Sequence, residues 1–279
     1  MPRKKVLITV ATYPLPSRSY DELVCTAGMS ESGEWIRIYP VPLSFLMGQR
    51  QSGKMESFKY SWIELELNKR PDDFRPESYS PQNYDFRDLV LHERIGTERN
   101  WLRRKEICLQ NVYTNLGQLV NDSMEPTNRS LATFKPSKIV GLEIEEDSRE
   151  WSREWKDEWV EIRKQGDLFA KGKAPESLIP KLPYKFFYRF RDEAGKESRL
   201  MIEDWEIGAL YWNCLRKAEG NEGIALEKVK EKYEQEFLSR KDIYLFLGTT
   251  KEWHMRRAKN PFVIIGVFYP KIEAQMQMF

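Results

Sequence analysis

With 279 residues the chain has room for one large domain or two ordinary ones, and either can bury a core without disulfide staples. Its 45 basic and 43 acidic residues leave a formal charge of +2, which excludes a uniformly basic coat, so any nucleic-acid site must be a local patch. The 3 cysteines lie far apart and there are only 2 histidines, which excludes a zinc site of finger-type spacing and reads as a reduced chain with buried thiols.

The opening MPRKKVLITV has a basic start, but its apolar run is too short for a signal segment or a membrane span. It predicts a first strand, Val6 to Val10, in a cytoplasmic protein with no membrane partner. Tyr13-Pro14-Leu15-Pro16 then forces an extended exit. Glu22 to Pro42, ELVCTAGMSESGEWIRIYPVP, reads as a β-hairpin turning through Gly28 and Gly33. In its second run Ile36 and Ile38 share one face, while Trp35, Arg37 and Tyr39 share the other. An arginine between two large aromatics suits single-stranded nucleic acid: rings stack on bases and the guanidinium meets phosphate. The alternative is that Trp35 and Tyr39 pack beneath a neighbouring element, with the Arg37 stem covering them.

Ser61, Ile63, Leu65 and Leu67 alternate with Trp62, Glu64 and Glu66 as a half-buried strand, so the first seventy residues predict four strands in meander order that curl into a small barrel. Lys69 to Asp85 has three prolines and little periodicity and predicts a long ordered loop, with Arg70, Arg75, Tyr79 and Tyr84 interleaved as candidate contacts. From Phe86 to about Val120 the pattern is helical. Arg99, Arg103 and Arg104 crowd one side of it, either as a solvated face or as phosphate contacts. MEPTNRSLATFKPSK is turn-rich, and Ile139 to Ile144 resumes strand character.

Trp151, Trp155 and Trp159 stand at i, i+4 steps and predict a helix docking three indoles along one face, with an acidic opposite face that suits a protein partner rather than nucleic acid. Tyr184 to Ile202, YKFFYRFRDEAGKESRLMI, is a second hairpin. Tyr184, Phe186, Tyr188 and Phe190 form its core side, and Arg189 and Arg191 lie on the other, either free for phosphate or paired with acids across the strands. Helices from Glu206 to Ala218 and Glu222 to Leu238 follow, then strands Ile243 to Leu247 and Phe262 to Phe268. The connecting Gly248 to Arg257 carries Trp253, His254, Arg256 and Arg257, which could grip a phosphate or stack a base. It lacks the glycine spacing of a P-loop.

No nucleophile elbow, zinc-protease motif or dinucleotide fingerprint is present, so no cofactor and no catalytic residue is assigned. Glu203, Asp204 and Glu206 follow a strand and could hold a metal in a nuclease. Gly208 stands where the usual companion lysine would be, and Asp204 reads better as a helix cap.

ELVCTAG with WIRIYPVP, then YKFFYRFRDEAGKESRLMIEDWE, YLFLGTT and PFVIIGVFYP, resemble uncharacterised bacterial proteins of dual OB-like architecture. The resemblance spans both β-rich halves and carries no catalytic motif. It implies that fold, nucleic-acid binding, and a setting among mobile-element or defence genes.

The expected fold is α+β: two small antiparallel β-barrel-like (OB/PUA-like) modules with packed helices, residues 1–145 and 146–279. The expected function is binding single-stranded or distorted nucleic acid through Trp35, Arg37, Tyr39, Arg75, Arg103, Arg104, Arg189, Arg191, Trp253, His254, Arg256 and Arg257. The alternatives are a metal-dependent nuclease, or an interaction subunit docking through the tryptophan helix.

Overall fold

Five strands close on themselves in the N-terminal half. β1 (Arg3–Ala11), β2 (Leu15–Pro16), β3 (Glu22–Met29), β4 (Trp35–Pro42), β5 (Ser61–Lys69), β6 (Ser78–Pro81) and β7 (Val90–Arg94) form one sheet, in a computed structural model that describes residues 3–12, 15–16, 22–42, 58–153, 157 and 180–273. The ring runs β1-β3-β4-β6-β5 and back to β1, antiparallel except for the β4–β6 pair. This is an OB-like barrel. In β1, alternation points Val6 and Ile8 inward onto Ile36, Ile38, Ile63 and Leu65 and Leu7 outward, and a break in register between Ile8 and Val10 turns Val10 outward as well, into a second core. Gly28 lies where β3 crosses β1, and a Cβ there would sit 2.2 Å from the Leu7 carbonyl oxygen. Only glycine allows that approach.

The C-terminal half begins with α1 (Glu98–Cys108), β8 (Val112–Tyr113), α2 (Leu116–Asp122), β9 (Leu131–Phe134) and β10 (Lys138–Glu146). It continues with β11 (Tyr184–Arg191), β12 (Glu197–Met201), α3 (Trp205–Lys217), α4 (Glu222–Lys230), β13 (Tyr244–Thr249), α5 (Lys251–Met255) and β14 (Phe262–Phe268). α4 runs on through a π-helical turn, Glu231–Glu236, into Phe237–Arg240. The strands make one sheet in the order β10-β11-β12 and another in the order β14-β13-β9-β8, linked by a bridge between Ile202 and Ile264. Tyr184, Phe186, Tyr188 and Phe190 form the buried side of β11, as the alternation predicts, and meet Tyr211, Val229, Tyr233 and Phe237 of the helices. The Tyr188 hydroxyl donates to the Tyr233 carbonyl at 2.6 Å, which satisfies a polar tip that burial would otherwise strand.

The two halves share the second core. Leu7, Val10, Met29 and Trp62 on the outside of the barrel meet Phe246, Ile265 and Phe268. The α+β class and the OB-like barrel are therefore as expected, while several details differ. The expected loop Lys69 to Asp85 contains β6, which closes the barrel; the stretch expected to be helical contains β7; the turn-rich stretch contains β9; and the Gly248 to Arg257 loop contains α5. A division after residue 145 falls inside β10, whose residues pair with β11 from Lys138 to Glu146. Trp155 and Trp159 lie outside the described residues, so the tryptophan stripe is seen only at Trp151. No helix among the described residues is long and apolar enough to cross a membrane.

Candidate functional site

The outer face of β4 is covered. Ile36 and Ile38 point into the barrel as expected, which sends Trp35, Arg37 and Tyr39 outward, but the C-terminal half lies over Trp35 and Arg37, and Arg70 lies over Tyr39. Arg37 is 3% exposed. Its guanidinium donates to Ser78 Oγ at 3.1 Å, to Ser130 Oγ at 2.8 Å and to the Ser130 carbonyl at 3.2 Å. Glu77 accepts from the Ser130 amide at 3.2 Å and from its hydroxyl at 2.7 Å. Burial, and then the nearby Arg75, draw the Arg37 pKa below its usual value.

Arg75 completes this clamp from the β5–β6 connection. It donates to both oxygens of Asp73, at 2.8 and 2.6 Å, and to the Thr249 carbonyl at 2.8 Å. Burial alone would raise the Asp73 pKa, but the bonds from Arg75 outweigh it and hold the carboxyl well below the ordinary carboxylate range. His254 is buried as well: Nδ1 meets the Thr249 hydroxyl at 3.0 Å and Nε2 meets the Ser123 carbonyl. Since a carbonyl only accepts, Nε2 carries the proton and Nδ1 accepts from Thr249 in the neutral ring.

That arrangement has a pH consequence. Burial lowers the His254 pKa, with Arg75 and Arg37 adding to it. The unfolded chain therefore binds the proton first as pH falls, and stability present at neutral pH is lost below about 6.5. Asp204 acts oppositely in this range, because burial lifts its pKa to about 6. The expected result is that wild-type protein loses more stability than His254→Gln between pH 7.5 and 5.5 in denaturant titrations. Parallel losses in the two proteins would contradict it.

Beside the clamp a cleft of 770 Å³ opens between the barrel and the β8–β9 side of the C-terminal half. Trp35 and Tyr79 line it from the barrel, and Tyr113 and Arg129 line it from the other side. Trp35 is half-buried with its edge on Phe246, the centroids 5.3 Å apart. Lys4 Nζ lies 5.1 Å and Lys69 Nζ 4.8 Å from the Tyr79 ring centroid, within reach of its π face. The Tyr113 hydroxyl donates to Asp122 at 2.7 Å, and burial followed by this bond raises its pKa to about 12. Gln110, Asn111, Gln118 and Glu34 stand at the exposed rim.

The expected binding residues do not form one surface. Arg37, Arg75 and His254 belong to the buried clamp. Arg104 is also buried; it donates to the Ile95 carbonyl at 3.0 and 2.7 Å and stacks 3.8 Å from the Tyr60 centroid. Arg103 is exposed but paired with Glu93 at 2.5 Å. Arg189 pairs with Glu143 at 3.3 Å and Glu197 at 3.6 Å, and Arg191 with Glu197 at 3.2 Å. The second hairpin therefore uses its arginines in cross-strand pairs. Tyr39 lies under Arg70, 5.3 Å from its guanidinium carbon. Trp253 is 51% exposed, Arg256 pairs with Glu252 at 2.8 Å, and Arg257 projects from a residue with φ of 50°. Of the twelve, Trp35 alone lines the cleft. Tyr79 carries a signal in its aromatic and basic neighbours; Tyr113 and Arg129 sit in short segments without one.

The acidic cluster is structural. Asp204 accepts from the Glu206 amide at 3.1 Å, capping α3, and from the Val267 amide at 3.3 Å. Lys59 Nζ lies 3.3 Å from both Asp204 and Glu206. Burial opposes charge on Lys59, but the two carboxylates hold its pKa above the usual value. An ammonium thus occupies the place a metal would need, and no group of three or more metal-ligating side chains occurs among the described residues.

Residues 114–279, more than half of the chain, match the family described as Domain of unknown function (DUF8757). The chain belongs to the DUF8757 family. Residues 2–110 match a second family, Domain of unknown function (DUF8758), so two adjacent family domains span nearly the whole chain. The cleft lies where they meet: Trp35 and Tyr79 come from the DUF8758 part, Arg129 from the DUF8757 part, and Tyr113 from the connection between them. No curated protein matches. A solved structure described as "Structure of murine DNA binding protein bound with ds DNA" aligns over 98% of this chain and 97% of that one, at 10% identity and a TM-score of 0.30. A likeness that slight carries no argument about what the DUF8757 chain does.

Proposed function

We propose that the protein binds single-stranded or distorted nucleic acid in the cleft between its two halves. The observation that carries this is the lining: three half-buried aromatics, Trp35, Tyr79 and Tyr113, converge with two cations, Lys4 and Arg129, in one cleft. Aromatic faces accept any base by stacking, and a cation at the same place meets the backbone. Exposed amides along the rim add hydrogen-bonding groups that base edges can use. Duplex DNA hides its base faces, which is why an unpaired or distorted strand fits better.

The number of cations sets a specific expectation. With one or two phosphates neutralised and a single-strand slope of roughly 0.7 per phosphate, raising salt from about 50 to 200 mM weakens binding by about threefold to sevenfold. Fluorescence anisotropy with a labelled single-stranded dodecamer measures it, and Tyr79→Ala costs a further tenfold or more through lost stacking, at ~1–3 kcal/mol per base. Absence of binding at low salt, or equal affinity in the Tyr79 variant, removes the proposal.

A further inference from the structure

We infer that the apolar face around α5 joins two copies of this chain in a two-fold dimer, independently of what the cleft binds. Among the described residues nine large hydrophobic side chains are exposed, and four of them gather here. Thr250 caps α5 by accepting from the Trp253 amide at 3.3 Å, and His254 is the residue this short helix buries. At about 100° per residue, Trp253 and Met255 then flank the buried imidazole. Phe74 sets its ring edge against His254, the centroids 4.8 Å apart, and Met124 follows Ser123, whose carbonyl meets His254 Nε2. The four side chains are 43 to 62% exposed. Phe74 belongs to the DUF8758 part and the other three to the DUF8757 part, so the face is complete only when the two halves are docked.

Its composition is that of an interface. Aromatic rings, methionine and arginine are enriched where proteins meet, and an apolar patch on the order of a few hundred Å² marks an interaction site on a monomer. Trp253 is a held anchor: the Arg256 guanidinium carbon lies 5.8 Å from its ring centroid, and Glu252 fixes that arginine at 2.8 Å. An anchor ordered beforehand costs less to bind. Charge selects the occupant. Glu125, next to Met124, and Arg257 and Lys259, just beyond α5, are exposed and have no ion-pair partner among the described residues. A two-fold contact presents the same patch from both sides and needs both signs of charge within it. A second copy supplies both complements at once, whereas a polyanionic strand or an anionic bilayer would set like charge against Glu125.

Sedimentation velocity on the full chain, from about 1 to about 100 μM, reads the association. The expected result is a concentration-dependent shift from monomer to dimer. Met255→Lys and Trp253→Glu each raise the dimer Kd by about thirtyfold or more, because a two-fold contact loses the anchor on both sides. Both side chains are exposed, so each variant keeps the wild-type circular dichroism spectrum. Ile224→Lys, at an exposed isoleucine of α4, leaves the association unchanged. A monomer at every concentration overturns the inference. So does a dimer that persists in either patch variant, or one that Ile224→Lys dissociates as strongly. None of these results bears on the nucleic-acid reading, which the Tyr79 variant tests separately.

Discussion

Replacing Arg37 by alanine lowers the unfolding free energy by about 3 kcal/mol, the range for a buried charged group removed from its partners. The side chain donates three hydrogen bonds that tie β4 to Ser78 of β6 and to Ser130, just before β9. Its loss leaves Ser78 and Ser130 with fewer partners in a place where water does not reach. Arg37→Met, which restores volume but no donors, recovers only part of the loss. An exposed strand arginine would cost no more than about 0.5 kcal/mol. Urea titration distinguishes the two cases, and an unchanged midpoint would mean that Arg37 is not clamped.

Gly28→Val prevents the barrel from closing. The added Cβ would lie 2.2 Å from the Leu7 carbonyl oxygen and 2.8 Å from its carbonyl carbon. β1 cannot step aside, because it is paired with β3 on one edge and β5 on the other. The obstacle is backbone rather than a flexible side-chain end, so overpacking here exceeds the 1–3 kcal/mol typical of cores. The variant is expected to be insoluble or to lack a cooperative thermal transition by circular dichroism. A soluble variant with the wild-type transition would contradict the register of β1 on β3.

Strands with one buried face were legible. Ile36 and Ile38, Ile63 with Leu65, and the Tyr184-to-Phe190 stripe all reach cores on the face that alternation assigns. Even the outward direction of Trp35, Arg37 and Tyr39 was correct. What alternation could not show is that a second half covers this face, since that contact is made with Ser130, far along the chain. β6, β7 and β9 were missed for a related reason. They are short, and Pro81 or turn-forming neighbours disguise them; their strand state comes from partners distant in sequence rather than from local preference. The charged candidates raise a different point. Residue type marks a guanidinium, but only the fold shows whether a carboxylate already neutralises it, as Glu197 does for Arg191.

Arg129 was the reverse case: it sat in a stretch read only as turns, and the fold places it over the Tyr113 ring with its Nε buried and unbonded. The cleft exists because the barrel docks on the β9–β13 side, and the clamp of Arg37, Asp73, Arg75 and Glu77 holds that docking. The cleft and the docking of the two halves thus share the same loops, since Glu77 belongs to the clamp and also lines the cleft.

Photocrosslinking tests this most directly. A single-stranded oligonucleotide carrying 5-iodouracil is irradiated on the full chain, and the modified peptides are mapped by mass spectrometry. Crosslinks at Trp35, Tyr79 or Tyr113 are the predicted result. Crosslinks confined to the Arg189–Arg191 face of β11 or to Trp253, with the three cleft aromatics unmodified, would contradict the assignment.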